Sequence, residues 1–91
     1  MSELKLHFKR EDDEVEMSVE YNGNYVAAIK NLATLQYALM DKLVKDGNAV
    51  VDVTTEMLVV MHEMMYSYVK EHEPEALCFV ETMGQAKEDY N

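Results

Sequence analysis

The sequence is poor in the residues that shape disulfide-rich or phosphate-binding folds. Its 91 residues include one cysteine, one proline, three glycines and no tryptophan. A single Cys excludes a disulfide within the chain and suits a reducing compartment, and isolated glycines exclude a glycine-rich phosphate loop. No basic stretch leads into an apolar run at the start, and no uncharged stretch approaches the roughly 20 residues of a membrane span. We therefore expect a cytoplasmic protein that does not enter the membrane.

Basic residues are also scarce. Eight Lys and Arg stand against eighteen Asp and Glu, which gives a formal net charge of −10. Direct binding of nucleic acid is not expected, because like charges repel. The charge is uneven: residues 1–20 carry net −4, residues 21–50 net +1 and residues 51–91 net −7. The length of the chain predicts a single small acidic domain over residues 1–91.

Two runs near the N-terminus alternate apolar and polar residues, as half-buried strands do. The apolar members are Leu4, Leu6 and Phe8 in the first run and Val15, Met17, Val19 and Tyr21 in the second. The polar stretch 10–13 between them suits a hairpin loop. Because a two-stranded ribbon is barely stable alone in water, we expect its apolar face to lie on helices.

The segment after Tyr21 admits two interpretations. Asn22-Gly23 between apolar runs is typical of a tight hairpin turn, which would make Tyr25–Ile29 a third strand and start the helix near Asn31. The apolar stripe from Tyr25 to Leu43 instead advances in steps of four and three, which favours a helix from about Asn24 to Asp46. In the helical interpretation Asn24 is the N-cap and Gly47 ends the helix. We favour the helix.

Two further helices are expected. The second begins near Asp52 or Thr54 after a connection over 48–53 and ends at about Glu71 or His72. The third runs from Glu75 to about Asp89 behind Pro74, with an apolar stripe at Ala76, Phe79, Val80, Met83 and Ala86. The expected fold class is therefore α+β, with an N-terminal β-hairpin packed on two long helices and a shorter C-terminal helix, in the order ββααα.

No pattern of residues predicts catalysis. His62-Glu63 begins like the zinc-protease signature, but Tyr66 stands where the second histidine ligand is required. The three serines lie in no recognisable nucleophile turn. We predict that the protein is not an enzyme, with no catalytic residues, no metal site and no cofactor.

The second helix carries the residues that we select as an interaction face: Met57, Met61, Met64, Met65 and Tyr68. Methionine is an adaptable filler of cores and of binding grooves, and these positions share one side of a helix. Thioethers also suit Cu(I), which makes a copper or other metal binder a less favoured alternative. A helix with so wide an apolar surface is either central in its domain or covered by a second subunit. Because two long helices and a ribbon would leave that surface only partly covered, we expect a homodimer. The leading functional hypothesis is a non-enzymatic protein–protein interaction or accessory protein of the phage or mobile-element kind.

An acidic patch lies on and around the hairpin and offers a second hypothesis. Its members, which fall within ten residues that contain no base, are Glu11, Asp12, Asp13, Glu14, Glu16 and Glu20. Such a surface keeps a Met-rich protein soluble, and it would also steer a basic protein partner. The alternative function is a nucleic-acid mimic that blocks the basic groove of a DNA- or RNA-binding enzyme.

Overall fold

The computed structural model describes residues 1–78. These divide into two compact units, Met1–Gly47 and a second one that begins at Asn48. The first unit consists of strands β1 (Glu3–Glu11) and β2 (Glu14–Asn22) and helix α1 (Tyr25–Lys45). The described part of the second unit contains helix α2 (Val50–His72) and a 3-10 turn at Pro74–Ala76. The fold is α+β, as expected.

Strands β1 and β2 form an antiparallel hairpin whose register places the apolar residues of both strands on one face. Leu4 lies opposite Tyr21, Leu6 opposite Val19 and Phe8 opposite Met17. The pairing continues to Glu11 and Glu14, so the loop is Asp12-Asp13 alone and is shorter than predicted. Asp12 has a φ of 49°, and two-residue hairpin loops require this left-handed conformation at their first position.

The apolar face of the hairpin is not covered by α1, contrary to the prediction that it lies on helices. Phe8 is 58% exposed and Met17 71% exposed. Strand β1 contacts α1, and near the open end of the hairpin Asn31 Nδ2 donates to Ser2 Oγ at 3.2 Å. The strand-to-helix connection explains this, since two residues, Gly23 and Asn24, bring only the start of the helix beside the hairpin.

Helix α1 begins and ends where its capping residues predict. The Asn24 side chain accepts a hydrogen bond from the Ala27 backbone N–H at 2.9 Å, and the Gly47 N–H donates to the Val44 carbonyl at 3.0 Å. Gly47 has a φ of 108°, which side chains with a Cβ rarely adopt. The helical interpretation of Asn22-Gly23 is thus confirmed, and the third strand is absent.

Helix α2 starts two to four residues earlier than predicted and ends at His72 as predicted. Its N-cap is Ala49, which makes no side-chain capping hydrogen bond. The predicted connection over 48–53 is therefore wrong, because Val50 already belongs to the helix. Neither Asp52 nor Thr54 serves as the cap.

The predicted third helix falls largely outside the described residues. Pro74 opens a 3-10 turn that ends at Ala76, and Leu77 has helical dihedral angles. Of the predicted stripe only Ala76 is described; Phe79, Val80, Met83 and Ala86 lie beyond residue 78. Cys78 is exposed, and its thiol lies 3.7 Å from the Glu75 carbonyl.

Residues 1–78 contain no buried side chain. Many large apolar side chains are instead exposed on the hairpin and on both helices. Folded domains normally enclose a set of fully buried aliphatic and aromatic residues, and the apolar faces within residues 1–78 are not enclosed in this way. Within the same residues, no helix is long and apolar enough to cross a membrane.

Candidate functional site: the apolar face of the second helix

The predicted interaction residues lie together on one side of α2. Met57, Met61, Met64, Met65 and Tyr68 all fall within the continuous helix. At about 100° of rotation per residue, their spacing confines them to an arc of about 100°. We call this surface the Met face, and the structure brings all five of its residues together.

The Met face is more open at its C-terminal end than at its centre. Met64 is 66% exposed, Met65 62% and Tyr68 64%, whereas Met57 and Met61 are half-buried. Met64, Met65 and Tyr68 therefore leave most of their apolar surface in water, which costs free energy until something covers it.

Apolar residues widen the Met face on both flanks. Val51 and Leu58 adjoin the flank that Met65 occupies, and Val53 and Val60 adjoin the other. Val51 and Leu58 are exposed, and Val53 and Val60 are half-buried. Together with the Met face, these residues extend the apolar surface over about 180° of the helix circumference.

Most charged side chains on α2 lie on the side of the helix opposite the Met face. Asp52, Glu56, Glu63 and Lys70 fall within about 40° of one another, about 150° from the middle of the face. Glu71 in the last turn is the exception and lies beside the face. The arrangement therefore separates a charged side from an uncharged side along most of the helix.

The C-terminal end of the Met face carries an aromatic stack. The Tyr68 and His72 rings lie 4.0 Å apart at an angle of 14°, and His72 Nδ1 is 2.9 Å from the Tyr68 carbonyl oxygen. Because the stack restricts the Tyr68 ring, this side chain loses less conformational entropy when a partner covers it. Rigid aromatic side chains of this kind often dominate the energetics of interfaces.

The acidic patch does not form one uninterrupted surface. Register places Lys5 opposite Glu20 and Lys9 opposite Glu16 on the polar face of the hairpin. Lys9 Nζ lies 3.2 Å from Glu11, and His7 Nε2 lies 3.8 Å from Glu16. Bases from β1 thus interleave with the acids of β2, and the carboxylates that no base interrupts are those of the hairpin tip, residues 12–14.

Two depressions on the hairpin are smaller than typical sites for small molecules. One of about 110 Å³ is lined by Glu3, Lys5, Glu20, Tyr21 and Asn22, and one of about 30 Å³ lies among Lys9, Glu11, Glu14 and Glu16. Sites for small molecules typically enclose about 300–1,000 Å³. In the part of the chain that is described, no three His, Cys, Asp or Glu side chains cluster closely enough to hold a metal ion.

The first turn of α2 adds residues that the sequence analysis missed. Val50, 61% exposed, belongs to the helix rather than to a connection. The residue spacing already indicated this earlier helix start. Val50, Thr54 and Met57 continue the steps of four and three that place the Met-face residues on one side of the helix. The predicted start near Asp52 or Thr54 rested on capping preference, and Ala49 begins the helix without a side-chain cap.

Comparison of the chain with protein-family models, with curated proteins and with solved structures gives no significant match.

Proposed function

We propose that this protein is a small, acidic, non-enzymatic interaction protein of the cytoplasm that self-associates and engages other proteins through the Met face of α2. The observation that carries the proposal is the exposed apolar surface of a helix within a chain segment that has no buried residue. Large exposed apolar patches on soluble proteins mark interaction sites.

The chemistry of the face suits a protein partner. Methionine side chains are flexible and polarisable, and they adapt to differently shaped apolar surfaces. The flanks of the face offer Val and Leu rather than charged groups along most of the helix. Association through such a surface depends on apolar burial and little on ionic strength.

The acidic hairpin supports a secondary role in attracting a basic partner. The net charge of −10 creates a long-range field that raises the rate of encounter with positively charged proteins. The tip carboxylates of residues 12–14 are exposed and are available for such steering.

The nucleic-acid mimic is the weaker candidate. A mimic of the phosphate backbone requires closely spaced negative charges without interruption. The cross-strand positions of Lys5 and Lys9 interrupt the row of acids on the polar face, which favours the Met face as the principal surface. Cu(I) binding by the methionines is a third candidate, and elemental analysis of the purified protein tests it directly: a copper content below the protein content would remove it.

The test is capture of partners from the source organism at low and high salt, about 0.05 M and about 0.5 M. We expect partners to remain bound at high salt and to be lost with Met61→Asp, because the new carboxylate would be buried in the contact. Val59→Asp is the matched control, since it makes the same kind of change on the far side of the same helix. Capture that collapses at high salt and survives Met61→Asp would contradict the proposal and support the mimic.

A further inference from the structure

We propose that the outer edge of β2 binds an extended segment of another protein as a third, antiparallel strand, and that this segment alternates apolar residues with Lys or Arg. The proposal rests on the part of the proposed function that assigns a basic partner. It gives that partner a binding surface and a conformation, both separate from the Met face.

The outer edge of β2 is long and uncovered. All nine residues of the strand are exposed, whereas Glu3 and Leu4 of β1 are half-buried and β1 contacts α1. Within residues 1–78, the backbone of β2 is hydrogen-bonded to β1 alone. The strand contains no proline and its register has no bulge, although proteins often block exposed edges with these features.

The register identifies the backbone groups on this edge. A two-residue hairpin loop closes with a hydrogen-bonded pair, which here is Glu11 and Glu14. Hydrogen-bonded and non-hydrogen-bonded pairs alternate from that point along an antiparallel ladder. The backbone N–H and C=O groups that point away from β1 therefore belong to the apolar residues of β2: Val15, Met17, Val19 and Tyr21.

A third strand would complete a sheet that is marginal with two. Three or more strands with an apolar face are needed for a stable sheet. Apolar residues of an added strand would lie beside Met17 and Val19, which are 71% and 64% exposed. The turn at Asn22-Gly23 leads into α1 instead of a third strand, so residues 25–29 do not fill this position.

The acids of β2 select the chemistry of the added strand. Lys5 lies opposite Glu20, but its Nζ atom pairs with Glu3 on its own strand at 3.3 Å. Within residues 1–78, neither Glu14 nor Glu20 makes an ion pair. Their carboxylates therefore remain for basic side chains on the outer side of β2.

Strand β1 shows which sequence pattern fits β2, because its apolar residues alternate with Lys5, His7 and Lys9. Opposite charges on directly paired residues stabilise a sheet and like charges destabilise it. A basic segment of the same pattern thus suits the outer edge. A second copy of β2 does not, because the register of full overlap would place Glu16 opposite the second copy's Glu20.

The first experiment measures binding of the fluorescent peptide Lys-Val-Lys-Val-Lys-Val-Lys to the full chain by anisotropy. The control peptide Lys-Lys-Lys-Lys-Val-Val-Val has the same composition and charge without the alternation. We expect the alternating peptide to bind at least about tenfold more tightly, because only its valines and lysines fall on separate faces of a strand. Equal affinities, or no binding, would overturn the proposal.

The second experiment uses backbone N-methylation of the alternating peptide. In an antiparallel register the valines lie opposite the apolar residues of β2, so the valine N–H groups donate to the edge and the lysine N–H groups point away. A methyl group on the central valine nitrogen should weaken binding by about tenfold or more, and one on a neighbouring lysine nitrogen by less than about threefold. Equal losses, or the reverse pattern that a parallel strand would give, would overturn the proposal.

The third experiment compares the two edges of the hairpin. Leu6 and Val19 lie directly opposite each other in a non-hydrogen-bonded pair, so proline at either position removes an N–H from an outer edge and none from the ladder. Val19→Pro should abolish peptide binding and Leu6→Pro should retain it; equal affinities would overturn the proposal. Circular dichroism checks the fold, and the methylated peptides decide on the wild-type chain if Val19→Pro unfolds.

Other outcomes separate this proposal from the Met face. Met61→Asp should leave peptide affinity unchanged, and a loss would place the peptide on α2 and overturn the β2 site alone. Peptide binding at β2 combined with partner capture that survives Met61→Asp would overturn the Met face and leave the β2 site standing. A mass that rises with concentration and no longer does so in Val19→Pro would make a second copy the occupant and overturn the proposal.

Discussion

The hairpin and α2 both expose an apolar face, but they place their charges differently. On the hairpin, Arg10 lies 5.4 Å from the centre of the Phe8 ring on the apolar face, and Lys5 and Lys9 stand opposite acids on the other face. On α2, charges keep to the side away from the Met face, apart from Glu71. The hairpin is thus stabilised within its own two strands, whereas α2 keeps an uncharged surface, which we propose binds another molecule.

This difference separates local stabilisation from association. The hairpin has a complete ladder from Glu3 to Glu11, a two-residue loop and an ion pair between Lys9 and Glu11. Helix α2 has no side-chain N-cap. Long helices in proteins depend mostly on the packing of their apolar face, so the stability of α2 should depend on what covers that face.

Truncation of one tyrosine on each face should have the largest effect. Tyr68 on α2 and Tyr21 on the hairpin are similarly exposed, at 64% and 61%. We expect Tyr68→Ala to weaken self-association by roughly 10–100-fold, because well-packed aromatic anchors contribute about 2 kcal/mol or more. Tyr21→Ala should change it less than about threefold. Dissociation constants from sedimentation equilibrium measure both effects. Equal losses of affinity in the two variants would contradict the proposed difference between the two faces.

A new N-cap should make α2 less dependent on association. Ala49→Ser supplies a side-chain acceptor for the first turn and should stabilise the helix by about 1 kcal/mol. Asn24→Ala, which removes the existing bond to Ala27 N–H in α1, should cost a similar amount. Urea unfolding followed by circular dichroism at low protein concentration measures the two changes. A neutral Ala49→Ser beside a destabilising Asn24→Ala would contradict the interpretation that the missing N-cap limits the stability of α2.

A glycine in the hairpin loop should have a smaller effect, confined to the hairpin. Asp12 has a positive φ, so Asp12→Gly should stabilise the ribbon by roughly 0.5–1 kcal/mol. Asp13→Gly is the control, because the structure gives Asp13 no positive φ and glycine there should destabilise. The melting temperature measures both variants. An increase in both, or in neither, would contradict the loop geometry.

Loss of a hairpin lysine should have the smallest effect. Lys9 is exposed and lies 3.2 Å from Glu11, and exposed ion pairs contribute about 0.2–1 kcal/mol. We expect Lys9→Ala to cost at most about 0.5 kcal/mol and the difference from wild type to shrink in high salt. Thermal unfolding in low and high salt checks this, and a salt-independent loss would indicate packing by the lysine stem instead.

Local signals explain how much of the fold could be predicted. The bounds of α1 followed from Asn24 and Gly47, because each acts within a few residues of itself. The hairpin register followed from alternation, since a slip of one residue would turn every apolar side chain to the other face. The residues of the Met face likewise followed from helical spacing.

Three other features could not be predicted from local sequence patterns. The start of α2 was predicted late because Ala49 carries no capping side chain. The exposure of Phe8 and Met17 depends on where α1 leaves the hairpin, and no local sequence pattern encodes this position. The lysines opposite Glu16 and Glu20 emerged only when strand pairing brought β1 beside β2.

Oxidation of methionines tests the central claim most directly, because both faces carry an exposed one. Met17 on the hairpin is 71% exposed, and Met64 and Met65 on α2 are 66% and 62% exposed, so within one chain all three should react with peroxide at similar rates. Mass spectrometry of the sulfoxides over a series of protein concentrations follows each residue. We predict that Met64 and Met65 become protected from oxidation as the protein concentration rises while Met17 does not. Equal rates for all three at every concentration would contradict it.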